Sequence, residues 1–169
     1  MRKMLLSLIA VGLVFVMTSC IVIPLYHRFE IEESEVSSIE VYDICNYYES
    51  DLYRELSYYE YFEKKEISYQ ISAEEKGVFL KDLAEIQFSD HIVIVIAAID
   101  PSFNYDTWTV RINYTDGSSQ FISSAGYGET YDANGNFISG TGHHWGCEEE
   151  DWLGLIEKYV PAGALSHDH

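Results

Sequence analysis

Positive charge is scarce in this sequence. Ten lysines and arginines stand against 28 aspartates and glutamates, a formal net charge of −18 over 169 residues. A chain this acidic repels phosphate backbones and anionic lipid head groups, which argues against a nucleic-acid partner. Cysteine is scarce as well, with three in the whole chain. No Ser-His-Asp signature, phosphate loop or nucleotide fingerprint is present, and no cofactor is implied. Internal repeats and a second domain are also missing. The apolar share of 47% excludes disorder as the default and supplies enough material for one core.

What is present begins at the N-terminus. Arg2 and Lys3 form a short basic start, an apolar run extends from Met4 to Met17, and Met17-Thr18-Ser19-Cys20 follows. A basic start, an apolar stretch and small residues before a cut are the parts of an export signal. The order of an apolar residue, two small residues and a cysteine resembles the lipobox of bacterial lipoproteins. That resemblance implies cleavage between Ser19 and Cys20 and a diacylglycerol on the Cys20 thiol. It places the chain on the extracytoplasmic face of the cell membrane, with the membrane as a partner through its lipid. The competing reading is one uncleaved spanning helix from Met4 to Leu25, since about 20 apolar residues suffice; Thr18, Ser19 and Pro24 interrupt it. Removal of residues 1–19 takes Arg2 and Lys3 with it and leaves 8 basic against 28 acidic residues.

Residues 20–34 read as a tether, 35–161 as a single α+β domain, and 162–169 as a flexible tail. Val36 to Ile44 has the alternation of a first strand. Asn46 to Lys65 predicts a short helix after Ser50, with Leu52, Leu56 and Tyr59 on one stripe. Glu66 to Ile71 predicts a strand with Ile67, Tyr69 and Ile71 on one face. Ser72-Ala73-Glu74-Glu75 has the form of a capping box, opening a helix that buries Phe79, Leu80, Leu83 and Ile86. His91 to Ile99 reads as a central strand. Thr107 to Thr115 alternates strictly, with Trp108, Val110, Ile112 and Tyr114 on one face. Asp116-Gly117 predicts a two-residue hairpin turn that sets Ile112 opposite Phe121, and Asn134-Gly135 a second that sets Tyr131 opposite Ile138. Glu148 to Tyr159 predicts a last helix with Trp152, Leu153, Ile156 and Val160 buried. The expected fold is α+β, an antiparallel sheet of about five to seven strands with two or three helices packed mainly on one face. The Tyr114-Thr115-Asp116-Gly117 hairpin and the terminal helix with Trp152 make the domain resemble small uncharacterised lipoproteins of Gram-positive bacteria.

Four groups of residues are weighed as candidates for chemistry. His143, His144 and Cys147 stand together beside Glu148 and could share a zinc or copper ion, although adjacent histidines point apart unless the loop bends sharply. The same loop could serve an envelope hydrolase. Cys45 and Cys147 are the two cysteines left once Cys20 carries lipid. They could pair outside the cytoplasm, closing a loop of about 100 residues worth about 4 to 5 kcal/mol in the entropic account. Two buried free thiols, or a Cys147–His nucleophile, are the alternatives. Tyr47, Tyr48, Tyr53, Tyr58, Tyr59 and Tyr61 could form a recognition surface for an envelope protein or a cell-wall glycan, or could simply pack on the core. Asp132, Asn134 and Asn136 have the first spacings of a calcium loop, but Phe137 replaces its glycine and His143 its final acid, so a hairpin is the expected form. Tyr131-Asp132-Ala133-Asn134-Gly135-Asn136 also resembles one YD repeat of bacterial surface proteins. The leading expectation is a membrane-anchored, non-catalytic binding or interaction module.

Overall fold

The computed structural model describes residues 22–43, 58–93, 108–124, 128–140 and 145–164. The architecture is α+β, as expected. In chain order the elements are β1 (Val22–His27), a 3-10 turn (Glu33–Glu35), β2 (Val36–Asp43), α1 (Tyr58–Lys64), β3 (Tyr69–Gln70), α2 (Lys76–Glu85), β4 (Phe88–Val93), β5 (Trp108–Tyr114), β6 (Ser119–Ser123), β7 (Glu129–Tyr131), β8 (Phe137–Ser139), β9 (Trp145–Gly146) and α3 (Glu149–Tyr159). Six strands form one sheet in the order β3-β2-β5-β6-β7-β8, and three form a second in the order β1-β4-β9. Every pairing is antiparallel.

Alternation along the strands sorts the large sheet into two faces. Ile39 and Val41 of β2, Val110 and Ile112 of β5 and Ile122 of β6 point to the main core. There they meet Phe79, Leu80 and Leu83 of α2 and Trp152, Leu155 and Ile156 of α3. The opposite face carries Tyr42, Phe121 and Tyr131, covered by Tyr61 and Phe62 of α1. Two helices therefore pack on one face and a short one on the other.

The helix starts follow the sequence with one change of detail. The Glu75 amide donates to Ser72 Oγ at 3.3 Å, the first half of a capping box. The Glu75 carboxylate does reach back, but it accepts the Ser72 hydroxyl at 2.6 Å rather than a backbone N–H. On α3, Leu155 is buried where Leu153 was expected, and Leu153 packs at the margin. The strand predicted over Glu66 to Ile71 is reduced to Tyr69–Gln70, and Ile67 is exposed.

Two expectations about chain organisation are corrected. Residues 22–34 are not a tether. Val22–His27 pairs along its length with β4, and Phe29, 4% exposed, enters the main core. The apolar segment after Cys20 thus has a strand partner, one far away in sequence. At the other end, the Ala164 amide donates to the Pro161 carbonyl at 2.8 Å and Ala164 packs on the core, so the folded chain runs past residue 162. The predicted strand His91 to Ile99 begins earlier, at Phe88, and is central in the small sheet; residues 94–99 lie outside the described residues.

Both hairpins differ from expectation by one residue. Tyr114 N donates to Ser118 O, and Ile112 stands opposite Gln120 rather than Phe121. The loop therefore has three residues, Thr115 to Gly117, and Gly117 takes the left-handed conformation at φ 87°. Asp116 holds the turn by accepting from the Ser118 amide and hydroxyl at 2.8 and 2.7 Å. The second loop repeats the design. Asp132 N donates to Asn136 O, Gly135 has φ 77°, and Tyr131 stands opposite Phe137 instead of Ile138. Asp132 accepts from the amides of Asn134 and Asn136 and from Asn136 Nδ2, at 2.8 to 2.9 Å, so its carboxylate is committed to the turn. A one-residue slip moves a side chain to the other face. This is why Phe121 lies with Tyr42 and Tyr131 beneath α1.

Helices α2 and α3 are clamped by Asp82, which accepts from Lys158 Nζ at 2.5 Å and from the Tyr159 hydroxyl. Lys158 first, then Tyr159, hold the Asp82 carboxyl below its usual range. A depressed carboxyl stabilises the fold above its unfolded value, near 4, and the contribution is lost as pH falls through the folded value. Because the site is partly open to water, Asp82→Asn is expected to cost about 0.5–1 kcal/mol at pH 7. The cost should shrink as pH is lowered through and below the ordinary carboxylate range in urea titrations; a penalty unchanged as the pH falls would refute the assignment.

Candidate functional site

The densest charged arrangement lies on β5, under α1. Arg111 alternates away from the main core and stands opposite Glu40 of β2 and Phe121 of β6. Its Nη2 reaches Glu63 of α1 at 2.6 Å, and Nη1 lies 3.8 Å from Glu40. Nε and Nη2 donate to Ser119 Oγ at 3.3 and 3.2 Å. The rings of Tyr59 and Phe121 lie 5.5 and 5.3 Å from the guanidinium carbon, within cation–π range. The Tyr42 hydroxyl donates to Glu40 at 2.7 Å, and burial, then Glu40, raise its pKa well above the tyrosine range. Burial opposes the Arg111 charge, but hydrogen bonds with Tyr42 and Glu63 outweigh it. The guanidinium is thus engaged by carboxylates, a hydroxyl and two rings. It fastens α1 to the sheet and has the surroundings of a structural centre. Sequence reasoning passed over Arg111; the available signal was a lone cation on the second face of a strictly alternating strand in an acid-rich chain.

The tyrosine stretch divides. Tyr61 is buried in the second core cluster, and Tyr59 packs against Phe121, Tyr131 and the backbone of Gly135. Tyr61 is thus part of the core, and Tyr59, partly buried, packs at its margin. Tyr47, Tyr48 and Tyr53 lie outside the described residues, and of Tyr58 only the backbone, at the start of α1, is described.

Cys147 sits between β9 and α3, where its amide donates to the Ser124 carbonyl at 3.0 Å. It packs against the main core as a free thiol. Burial, with Asp151 and Glu148 nearby, pushes the thiol up to about 12. A nucleophile needs the reverse, a cationic neighbour and a depressed pKa. His143 and His144, the other members of the expected site, lie outside the described residues, as does Cys45 of the expected disulfide. Among the described residues no three His, Cys, Asp or Glu side chains converge as metal ligands. At pH 8 the native thiolate should be about a thousandfold scarcer than in the unfolded chain. Iodoacetamide should therefore label Cys147 at least about 100-fold more slowly in native buffer than in urea, read by peptide mass. Equal rates would refute the buried, acid-flanked thiol.

A polar notch of about 350 Å³ opens at the C-terminal end of β1, lined by Tyr26, His27, Arg28, Glu30 and Gln87. Tyr26 is 63% exposed. Arg28 makes a long contact with Glu85, 3.9 Å, with both side chains largely in water. An aromatic ring, an imidazole, a guanidinium, a carboxylate and an amide around an open notch can hold a small polar group by stacking and hydrogen bonds. No protein-family model matches the chain, and no curated protein and no solved structure matches it either.

Proposed function

We propose that this chain is a lipid-anchored protein of the extracytoplasmic membrane face whose folded domain is a non-catalytic binding or interaction module. The carrying observation is Met17-Thr18-Ser19-Cys20 at the end of a basic-then-apolar leader. Thr18, Ser19 and Pro24 interrupt the apolar run, which supports this reading against an uncleaved anchor. The non-catalytic part rests on the two best candidates for reactivity among the described residues. Cys147 is held as a thiol, and Arg111 is engaged in packing. The partner is an envelope protein or a cell-wall glycan, with the notch around Tyr26 and Arg28 as one point of contact.

The test is metabolic labelling with an alkyne fatty acid in a bacterial host. The wild type should carry label and fractionate with membranes, and Cys20→Ala should carry none. Normal labelling of Cys20→Ala would overturn the anchor. Alanine at His143, His144 and Cys147 together should leave partner binding intact; its loss from a folded variant would favour an enzymatic or metal-dependent loop.

A further inference from the structure

We infer that the end of the three-stranded sheet where β1 begins and β4 ends is seated in the head-group layer of the bilayer, so that the domain is held on the membrane with no spacer. This rests on the lipid anchor proposed above.

Length sets the first constraint. One residue, Ile21, separates Cys20 from the start of β1 at Val22. A fully extended chain advances at most about 3.6 Å per residue, so Val22 lies within about 7 Å of a cysteine whose acyl chains are in the membrane. The polar layer on each side of the hydrocarbon is about 5–8 Å thick. The first rung of the sheet therefore cannot clear it. A lipoprotein with a flexible linker could let its domain drift away; this one cannot unless β1 comes apart.

Composition agrees with that placement. The antiparallel register puts Val22 opposite Val93 and Ile23 opposite Ile92, so both strands contribute apolar residues to the end nearest Cys20. Polar residues enter at the next rungs, where Pro24 faces His91 and Leu25 faces Asp90. The chain as a whole repels anionic lipid, with 28 acidic residues. The two apolar rungs are thus where contact with a lipid surface costs least, and the acidic body is kept above it. Five residue steps of about 3.3 Å place the His27 end of β1 about 17 Å from the Val22 end. If β1 stands upright on its anchor, the notch lined by Tyr26, His27, Arg28 and Glu30 faces outward, clear of the head groups.

The full lipidated chain, with Cys45 and Cys147 replaced by serine, would be spin-labelled at single cysteines replacing Ile23 or, as a distant control, Ser139. It would be placed in phosphatidylethanolamine–phosphatidylglycerol vesicles. The label at 23 should favour collisions with oxygen over a water-soluble nickel chelate, several-fold relative to 139. A ten-residue Gly-Ser insertion between Cys20 and Val22 should abolish that difference while leaving the fold intact. If mass spectrometry finds diacylglycerol on Cys20 but position 23 is as open to nickel as 139, the seat is wrong and the anchor stands. If Cys20 carries no lipid, the anchor falls and the seat with it.

Discussion

Replacing Trp152 with alanine is expected to bring the domain close to unfolding at room temperature. Trp152 is fully buried at the junction of α3 and β5. Its indole Nε1 donates to the Trp108 carbonyl at 2.9 Å, and its ring meets Phe88 edge-on at 6.3 Å. One side chain therefore ties the last helix, the central strand of the large sheet and the first residue of β4. Truncating a buried tryptophan costs about 3–5 kcal/mol through lost burial and the cavity left behind. The stranded Trp108 carbonyl adds about 1–3 kcal/mol. Against a total stability of about 5–15 kcal/mol this is a large fraction. The transition should fall by about 10–20 °C, followed by circular dichroism. Trp152→Phe separates the contributions, because it keeps an aromatic ring and loses the N–H, and should cost about 1–3 kcal/mol. An alanine variant within about 1 kcal/mol of wild type would contradict the packing described for α3.

The second large effect is expected at Arg111. Methionine there preserves much of the volume but leaves Glu40, with 15% of its side chain exposed, facing the aromatic cluster without a cation. Removing one partner of a buried ion pair is strongly destabilising, by about 3–5 kcal/mol when both groups are enclosed. Glu63, 46% exposed, can turn to water, so the expected loss is about 2–4 kcal/mol. Combining Arg111→Met with Glu40→Gln should recover part of it, giving a coupling energy of about 1–2 kcal/mol in a double-mutant cycle by urea unfolding. Strict additivity of the two changes would refute the pairing. The same variant should loosen α1, detectable as faster amide exchange over Tyr58–Lys64 than over α2.

The elements readable in the sequence are those whose signal is local. Helix α2 announces itself by a serine with a glutamate three residues on and by apolar residues at helical spacing, and it buries Phe79, Leu80 and Leu83. Strand β5 shows a two-residue period strong enough to assign Trp108, Val110 and Ile112 to the core. What could not be read depends on partners distant in sequence or on a choice between turns using the same residues. Asp-Gly and Asn-Gly serve a two-residue turn, but also a three-residue loop with the glycine left-handed. The second was used both times, and it decided that Phe121 joins the aromatic face. An apolar stretch after Cys20 reads as a tether because nothing nearby pairs with it; β4 does. Arg111 was hidden for a related reason. A lone arginine on a half-exposed strand is ordinary until a helix from elsewhere lays a glutamate and a tyrosine over it. Of the candidate site residues, Cys147, Tyr59 and Tyr61 acquired definite surroundings, and in each case those surroundings are packing.

The pairing of β1 with β4 also bears on how the protein is made. Among the described strands β1 is synthesised first, yet its partner follows only after β2, α1, β3 and α2 have been produced. Pairings between segments so far apart must first bear the entropy of closing the intervening chain, and they slow folding. Until then an apolar strand stays open to association with other chains. The opening segment should thus be among the last to reach its place, and capture of the nascent chain before Phe88–Val93 emerges would find it unpaired.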